Sequence, residues 1–202
     1  GLYVGPESAG AAPGPACYDR GGKHPTVTDA NVTLGRIDPL HFLGGAMRLN
    51  TTAAQQAVTA DVAVPLKLDL EETAEGITQI AVAHMASAIR LSLFEKGLDP
   101  EDFALVSFGG AGGLHACDTA AELDIKQVIF PSDPGTLSAW GMLYADIAHD
   151  LTSAQLMNAD AGAKEELAKT VAILSAEGLK RLSADGIAEK DQRLTYTLDL
   201  RY

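Results

Sequence analysis

The chain is predicted to adopt an α/β fold, a mostly parallel sheet with helices packed on it. Three features carry that expectation. The centre alternates apolar β-type runs with a helix-length segment, Phe103–Phe108, then 113–123, then Gln127–Phe130, which is the order of a strand–helix–strand unit. The first run opens directly into Gly109-Gly110-Ala111-Gly112-Gly113, a glycine-rich turn between strand and helix. Ahead of it lies a long alanine-rich segment with helical periodicity, suited to close packing on a sheet or a second helix.

The elements follow in order. Residues 1–50 form a Gly/Pro-rich loop segment, because such a composition cannot sustain a long helix; Thr26-Val27-Thr28 reads as a short strand. Asn50-Thr51-Thr52 offers N-cap residues for a helix over 51–64, closed near Pro65. Asp69 with Glu72 has capping-box form and starts the longest helix, which runs to Lys96 before Gly97. Its repeating face is Ile77, Ile80, Ala81, His84, Met85, Ala88, Ile89 and Leu91 to Phe94. Asp133-Pro134-Gly135-Thr136 caps a helix over 136–146. Leu167–Leu182 supplies another amphipathic helix. Arg193–Leu200 alternates Leu194, Tyr196, Leu198 and Leu200 against polar neighbours, the pattern of a half-buried strand. The expected organisation is one partial domain, 1–202, with a loop segment over 1–50, an α/β core over 51–150, and a helix and terminal strand over 151–202.

Composition narrows the function classes. A net charge of −12 disfavours nucleic acid and anionic membrane surfaces as partners. No segment reaches the ~18 unbroken apolar residues of a membrane span, and no cationic stretch precedes an apolar one as in a signal peptide. Cys17 and Cys117 lie far apart, so a reducing, cytoplasmic setting is expected rather than a disulfide scaffold.

The glycine loop is the main candidate for chemistry. Glycines let a ligand approach the backbone closely, and the first N–H groups of the following helix point toward its phosphates. The spacing is neither G-x-G-x-x-G nor G-x-x-x-x-G-K-[ST], and no acidic residue sits at the offset a Rossmann-type NAD site needs. A tight structural turn is the competing reading. His115 falls in the predicted first helical turn, where a positive helix end would favour neutral imidazole; it is open to contact a phosphate, a substrate carbonyl or a carboxylate, or to cap and pack.

Five blocks of the chain, in order, resemble one family: Gly5–Tyr18, Thr26–Arg36 with Phe42–Gly45, Phe108–Ala116, Pro131–Asp150, and Arg201-Tyr202. They resemble the hydantoinase A/5-oxoprolinase family. It comprises ATP-dependent hydantoinases and oxoprolinases, and the ATPase-type subunits of acetone and acetophenone carboxylases. The resemblance implies an actin-like ATPase fold, in which two ribonuclease-H-like domains clasp ATP. It also implies that Gly109, Gly110, Ala111 and Gly112, with His115, form the adenosine side of the nucleotide site. Mg²⁺, a small cyclic amide or ketone substrate, and a hydantoinase B-type subunit or domain are implied for the whole enzyme. Two departures stand out. The family's Asp-x-Gly-Gly-Thr phosphate loops do not occur in these residues, and Gly113-Leu114-His115 stands where the family often has Gly-Pro-His. The expected function is therefore the ATP-binding portion of an ATP-dependent cyclic amidohydrolase, as an internal segment of a larger chain that is inactive alone. The alternatives are the ATPase subunit of a ketone carboxylase and a non-enzymatic actin-like assembly module. Catalytic residues are not assigned. Uncovered apolar surface, hence self-association, is expected.

Other residues invite weighing. Asp29 and Asn31 could reach Mg²⁺ through water or grip a loop, and the structural role is favoured. The Gly5–Tyr18 block is either an anion-binding nest or a rigid packed loop, and its prolines weaken the nest. His115-x-Cys117 lacks a second ligand pair, so no zinc site is expected; Cys117 reads as a small core residue. His84 reads as a core or boundary histidine and Trp140 as packing. His149-Asp150 is either a salt-bridged helix end or a contact with another domain. His24 and His41 have no motif support.

Overall fold

The computed structural model describes residues 1–155 and 162–199. Two compact units emerge, Gly1–Trp140 and Gly141–Tyr202.

The first unit is α/β, with more helix and less strand than the sequence suggests. The region read as a strand at Thr26–Thr28 is instead the start of helix α1, Val27–Thr33. The reason is local. Thr26 Oγ1 accepts the Asp29 N–H while the Asp29 carboxylate accepts the Thr26 N–H, a capping box that outweighs the β-propensity of two threonines and a valine. Helix α2, Thr51–Val58, is capped by Asn50, whose side chain accepts the Ala53 N–H. It passes through a π turn, Thr59–Ala63, into a final turn α3, Val64–Leu66. Pro65 sits one residue before the end of the helical run, which closes near it as expected. The wide π turn precedes the point where proline removes a donor, and Lys67 in the left-handed region (φ 59°) closes the helix.

Helix α4, Leu70–Phe94, is capped by Asp69, whose side chain accepts the Glu72 N–H. Its buried stripe is Thr73, Ala74, Ile77, Thr78, Val82 and Ala86, rotated from the expected one. His84 is exposed, not at a core boundary. Polar Thr73 and Thr78 take inward positions because their hydroxyls donate back to Asp69 and Glu75 carbonyls. By length and composition α4 is apolar enough to cross a membrane, yet Ala74 and Ile77 pack with Ala30 of α1 and Val58 of α2.

A strand–helix–strand unit follows. Strand β1, Leu105–Val106, pairs in parallel with β2, Val128–Ile129, and helix α5, Ala116–Glu122, connects them. Leu105 and Val128 face a small core of Ala86, Ala120, Leu123 and Ile125. Val106, Phe108, Ile129 and Phe130 remain about half exposed. The strands are shorter than expected because, among the described residues, each has one neighbour only, and Phe103 and Phe108 have no ladder partner to hold them extended. A short helix α6, Leu137–Met142, follows where 136–146 was expected. Trp140 on it is exposed rather than packed away.

The second unit is built on helix α7, Ala163–Ala184. Leu151 and Leu194 both approach Gly178, where an added Cβ would lie 3.5 and 3.6 Å from them. Residues 193–199 are not a strand. Their alternation is used against a helix: Leu194 meets Gly178, and the Tyr196 hydroxyl lies 2.9 Å from Ser175 Oγ. The expectations for Leu200, Arg201 and Tyr202 lie outside the described residues. His149 Nε2 lies 2.6 Å from an Asp185 carboxylate oxygen, at the residue capping α7, where a helix end and a contact with another domain were the two open readings for His149-Asp150.

Candidate functional site

The glycine loop occupies the carboxyl ends of the two parallel strands. In open α/β sheets, ligands bind in the crevice beyond those ends. Ser107 N–H bonds to Ile129 O at 2.9 Å, continuing the ladder by one step, and Gly109 N–H bonds to Pro134 O at 2.7 Å. The loops after β1 and β2 are therefore joined edge to edge. Gly109 has φ +90°, a conformation a side chain would strain. Ala111–Leu114 then forms a 3₁₀ turn, and α5 begins only at Ala116.

The glycines separate by what they are needed for. At Gly113 an added Cβ would meet Phe130 and Ser107 at 3.8–3.9 Å, ordinary contact. At Gly109, Gly110 and Gly112 it would meet nothing within 4 Å. Intramolecular packing thus gives no reason for glycine at Gly110 or Gly112. What these positions do have is bare backbone facing open space beside a second strand-end loop.

His115 lies beneath this surface rather than on it. It is 5% exposed. Asn31 Nδ2 donates to Val27 O at 2.8 Å and lies 3.3 Å from His115 Nε2. The imidazole's proton affinity is lowered, first by burial and then by the Arg36 guanidinium, with Asp118 opposing. His115 stands at the start of α5, as expected, as its N-cap residue, but its side chain makes no capping bond. Nothing in the sequence links Asn31 to His115, which are 84 residues apart.

Asp29 is fully buried and saturated. Its carboxylate accepts from the N–H groups of Ala16 (3.2 Å), Cys17 (2.7 Å) and Thr26 (2.9 Å), and from the Thr26 hydroxyl (2.8 Å). It grips the Gly/Pro loop, and with no oxygen free to face solvent it does not fit a Mg²⁺ ligand. The Gly5–Tyr18 block is correspondingly a packed loop at its C-terminal end. Gly14 to Cys17 are buried, and Cys17, Val32, Leu49 and Ala54 form a small core with Tyr18 and Phe42 against it.

Cys117 is not the small core residue expected. Cys117 is exposed and Cys17 is buried. Ala116, Thr119 and Ala120 take the inward face of α5. Burial, reinforced by the neighbouring Asp29 carboxylate, pushes the Cys17 thiol well above its ordinary value, so it holds no nucleophilic thiolate. In the native state a thiol reagent should therefore label Cys117 fast and Cys17 only on unfolding. Mass spectrometry of a labelled Cys117→Ser variant checks this: rapid modification at Cys17 would contradict the packing described.

A groove of about 670 Å³ runs between α4 and α5, bordered by Arg36, Thr78, Gln79, Asp118 and Glu122. Arg36 and Asp118 meet across it at 3.4 Å. It contains none of the loop glycines.

Comparison with known proteins agrees with the architecture. The family model described as "Hydantoinase/oxoprolinase" matches residues 1–151. The chain is 40% identical to the caprolactamase subunit alpha of Pseudomonas jessenii over 205 residues, covering 100% of this chain and 29% of that protein. It is 38% identical to the acetophenone carboxylase gamma subunit of Aromatoleum aromaticum, again over 100% of this chain and 28% of the relative. The crystal structure of the ATP-dependent caprolactamase from Pseudomonas jessenii superposes with a TM-score of 0.72 at 39% identity, over 92% of this chain and 27% of that one. The chain spans less than a third of the length of these relatives.

Proposed function

Because this chain belongs to the hydantoinase/oxoprolinase family, we propose that it is the adenosine side of the ATP site in an ATP-dependent enzyme that opens small cyclic amides. The observation that carries the proposal is the open space over Gly110 and Gly112, at the carboxyl ends of β1 and β2. Backbone without a Cβ there allows a flat ribose or an α-phosphate to reach main-chain donors. Gly109 holds the turn through its bond to Pro134. His115 anchors the loop's end from below through Asn31. Bound ATP supplies the phosphoryl group that makes an otherwise uphill ring opening feasible. Mg²⁺ and the terminal phosphates fall to residues outside this set, since Asp29 is saturated by its own loop. An actin-like arrangement, in a cytoplasmic enzyme, is part of this reading. So is a hydantoinase B-type partner: relatives are named as subunits, and Val106, Phe108, Ile129 and Phe130 are exposed apolar residues on which further protein, or a second copy, can pack.

A ketone carboxylase subunit is the second reading, favoured by the full-length match to the acetophenone carboxylase gamma subunit. Phosphate release from ATP, measured with lactams or with ketone plus bicarbonate, discriminates the two.

The decisive variant is Gly112→Val in the protein as it naturally occurs. Gly112 has no positive φ and no neighbour within 4 Å, so the melting temperature should stay at the wild-type value. Affinity for ATP by calorimetry should fall at least about tenfold, roughly 1.4 kcal/mol. Unchanged affinity would mean that the loop is only a turn.

A further inference from the structure

We infer that Asn31 is the positioning residue of the glycine loop: it holds His115 as neutral imidazole protonated on Nδ1, and this anchor opens when His115 takes up a second proton. The contact stands on its own geometry; its consequence for ligand binding rests on the nucleotide reading above.

The orientation of the Asn31 amide is determined by Val27. Its Nδ2 donates to the Val27 carbonyl at 2.8 Å, and exchanging the amide oxygen into that place would oppose two acceptors. The second Nδ2 hydrogen is then directed to His115 Nε2 at 3.3 Å. Nε2 must accept, so the neutral ring carries its hydrogen on Nδ1. Both side chains are more than nine-tenths buried. Among the described residues, Asn31 Oδ1 and His115 Nδ1 have no hydrogen-bond partner, so the Nε2 contact is the ring's one side-chain hydrogen bond among them. Protonation would place a hydrogen on Nε2 and set two donors against each other in a site with little access to water.

The charged groups acting on the ring are few. Burial, the largest cause, and Arg36, just beyond α1, disfavour the imidazolium; Asp118 on α5 favours it, and the pKa is lowered from 6.5. The sign follows. The unfolded chain binds a proton as pH falls through about 6.5 while the native ring still resists. The anchor's contribution is therefore complete above that value and is lost as pH falls through the folded pKa.

His115 is also a hinge of the loop's backbone. Its N–H bonds to Gly112 O at 3.1 Å, and its carbonyl accepts the Thr119 N–H at 2.8 Å. Displacing the ring moves both the 3₁₀ turn and the first turn of α5.

The test combines ¹⁵N spectroscopy of the imidazole with hydrogen exchange of residues 109–119, in the naturally occurring protein, from about pH 8 to about pH 5.5. The wild type should show a single Nδ1–H tautomer. Protection should fall as pH drops from about 6.5 toward the folded pKa, by up to about tenfold per pH unit, and ATP affinity should fall with it. Asn31→Ala should give mixed tautomers and weak protection at both pH values. His115→Gln offers Asn31 a carbonyl oxygen that does not titrate, so protection should be restored without the acid dependence. An Nε2–H tautomer in the wild type, or acid-sensitive protection persisting in His115→Gln, overturns the inference. A wild type that binds no ATP at any pH overturns the nucleotide reading, while the spectrum and exchange still decide the Asn31 contact.

Discussion

Asp29→Ala should remove about 3–5 kcal/mol of stability, the largest effect expected from a single side chain here. The carboxylate receives three backbone N–H groups and one hydroxyl. It also holds together two segments that composition alone leaves loose, the Gly/Pro loop and the start of α1. Truncation leaves the Ala16 and Cys17 amides as buried donors without an acceptor and removes the capping box in the same step. Asp29→Asn should recover less than half of the loss, because its NH₂ would face N–H groups. Urea denaturation followed by circular dichroism measures both. A midpoint shift equivalent to less than about 1 kcal/mol for the alanine variant would mean that the loop is held by its apolar core instead.

Gly22→Ala comes second. A Cβ at this position would lie 2.0 Å from the Gly14 carbonyl oxygen and 2.9 Å from that of Pro15. Both obstacles are backbone, so no rotamer relieves the clash, and overpacking of this kind costs about 1–3 kcal/mol. Gly14 is itself tightly enclosed, since an added Cβ there would lie 3.0 Å from Ala11 O and from the Tyr18 ring. The loop should therefore open at its junction with Cys17. In a chain of this size that corresponds to a melting temperature lower by several degrees. Gly112→Ala, with empty space around the new methyl, is the control and should stay within about 0.5 kcal/mol. Equal melting of the two variants would sink the assignment of Gly22 as a close-approach position.

These cases indicate where the sequence is informative. Asn50 and Asp69 were readable as helix caps because a cap is satisfied within three residues, and both accept the expected N–H, though at Asp69 the reciprocal Glu72 bond of the expected capping box does not form. The glycine loop was readable as a strand-to-helix turn for the same reason. At 26–28, β-propensity pointed to a strand and a reciprocal cap made a helix; the cap was present in the sequence as Thr26 and Asp29 but could be read only by preferring a specific hydrogen-bond pair over an average preference. The rotation of the α4 stripe was not readable, since its threonines pack inward only because their hydroxyls turn back on the helix. The expected core role of Cys117 failed because alanines on the adjacent face of α5 satisfy the packing.

The sequence by itself determined the family, the strand–turn–helix order at Phe108–Ala116, the main helix starts and the location of the candidate nucleotide loop. These depend on local hydrogen bonding, periodicity and long motifs. Only the tertiary structure decided that Asp29 grips residues 16 and 17, that Asn31 reaches His115, that Gly109 ties to Pro134, and that Leu194 and Tyr196 lie on a helix rather than in a sheet. Each of these joins groups 12 or more residues apart, and one joins groups 84 apart. Closing such distances depends on the packing of whole elements, which a residue pattern does not encode locally.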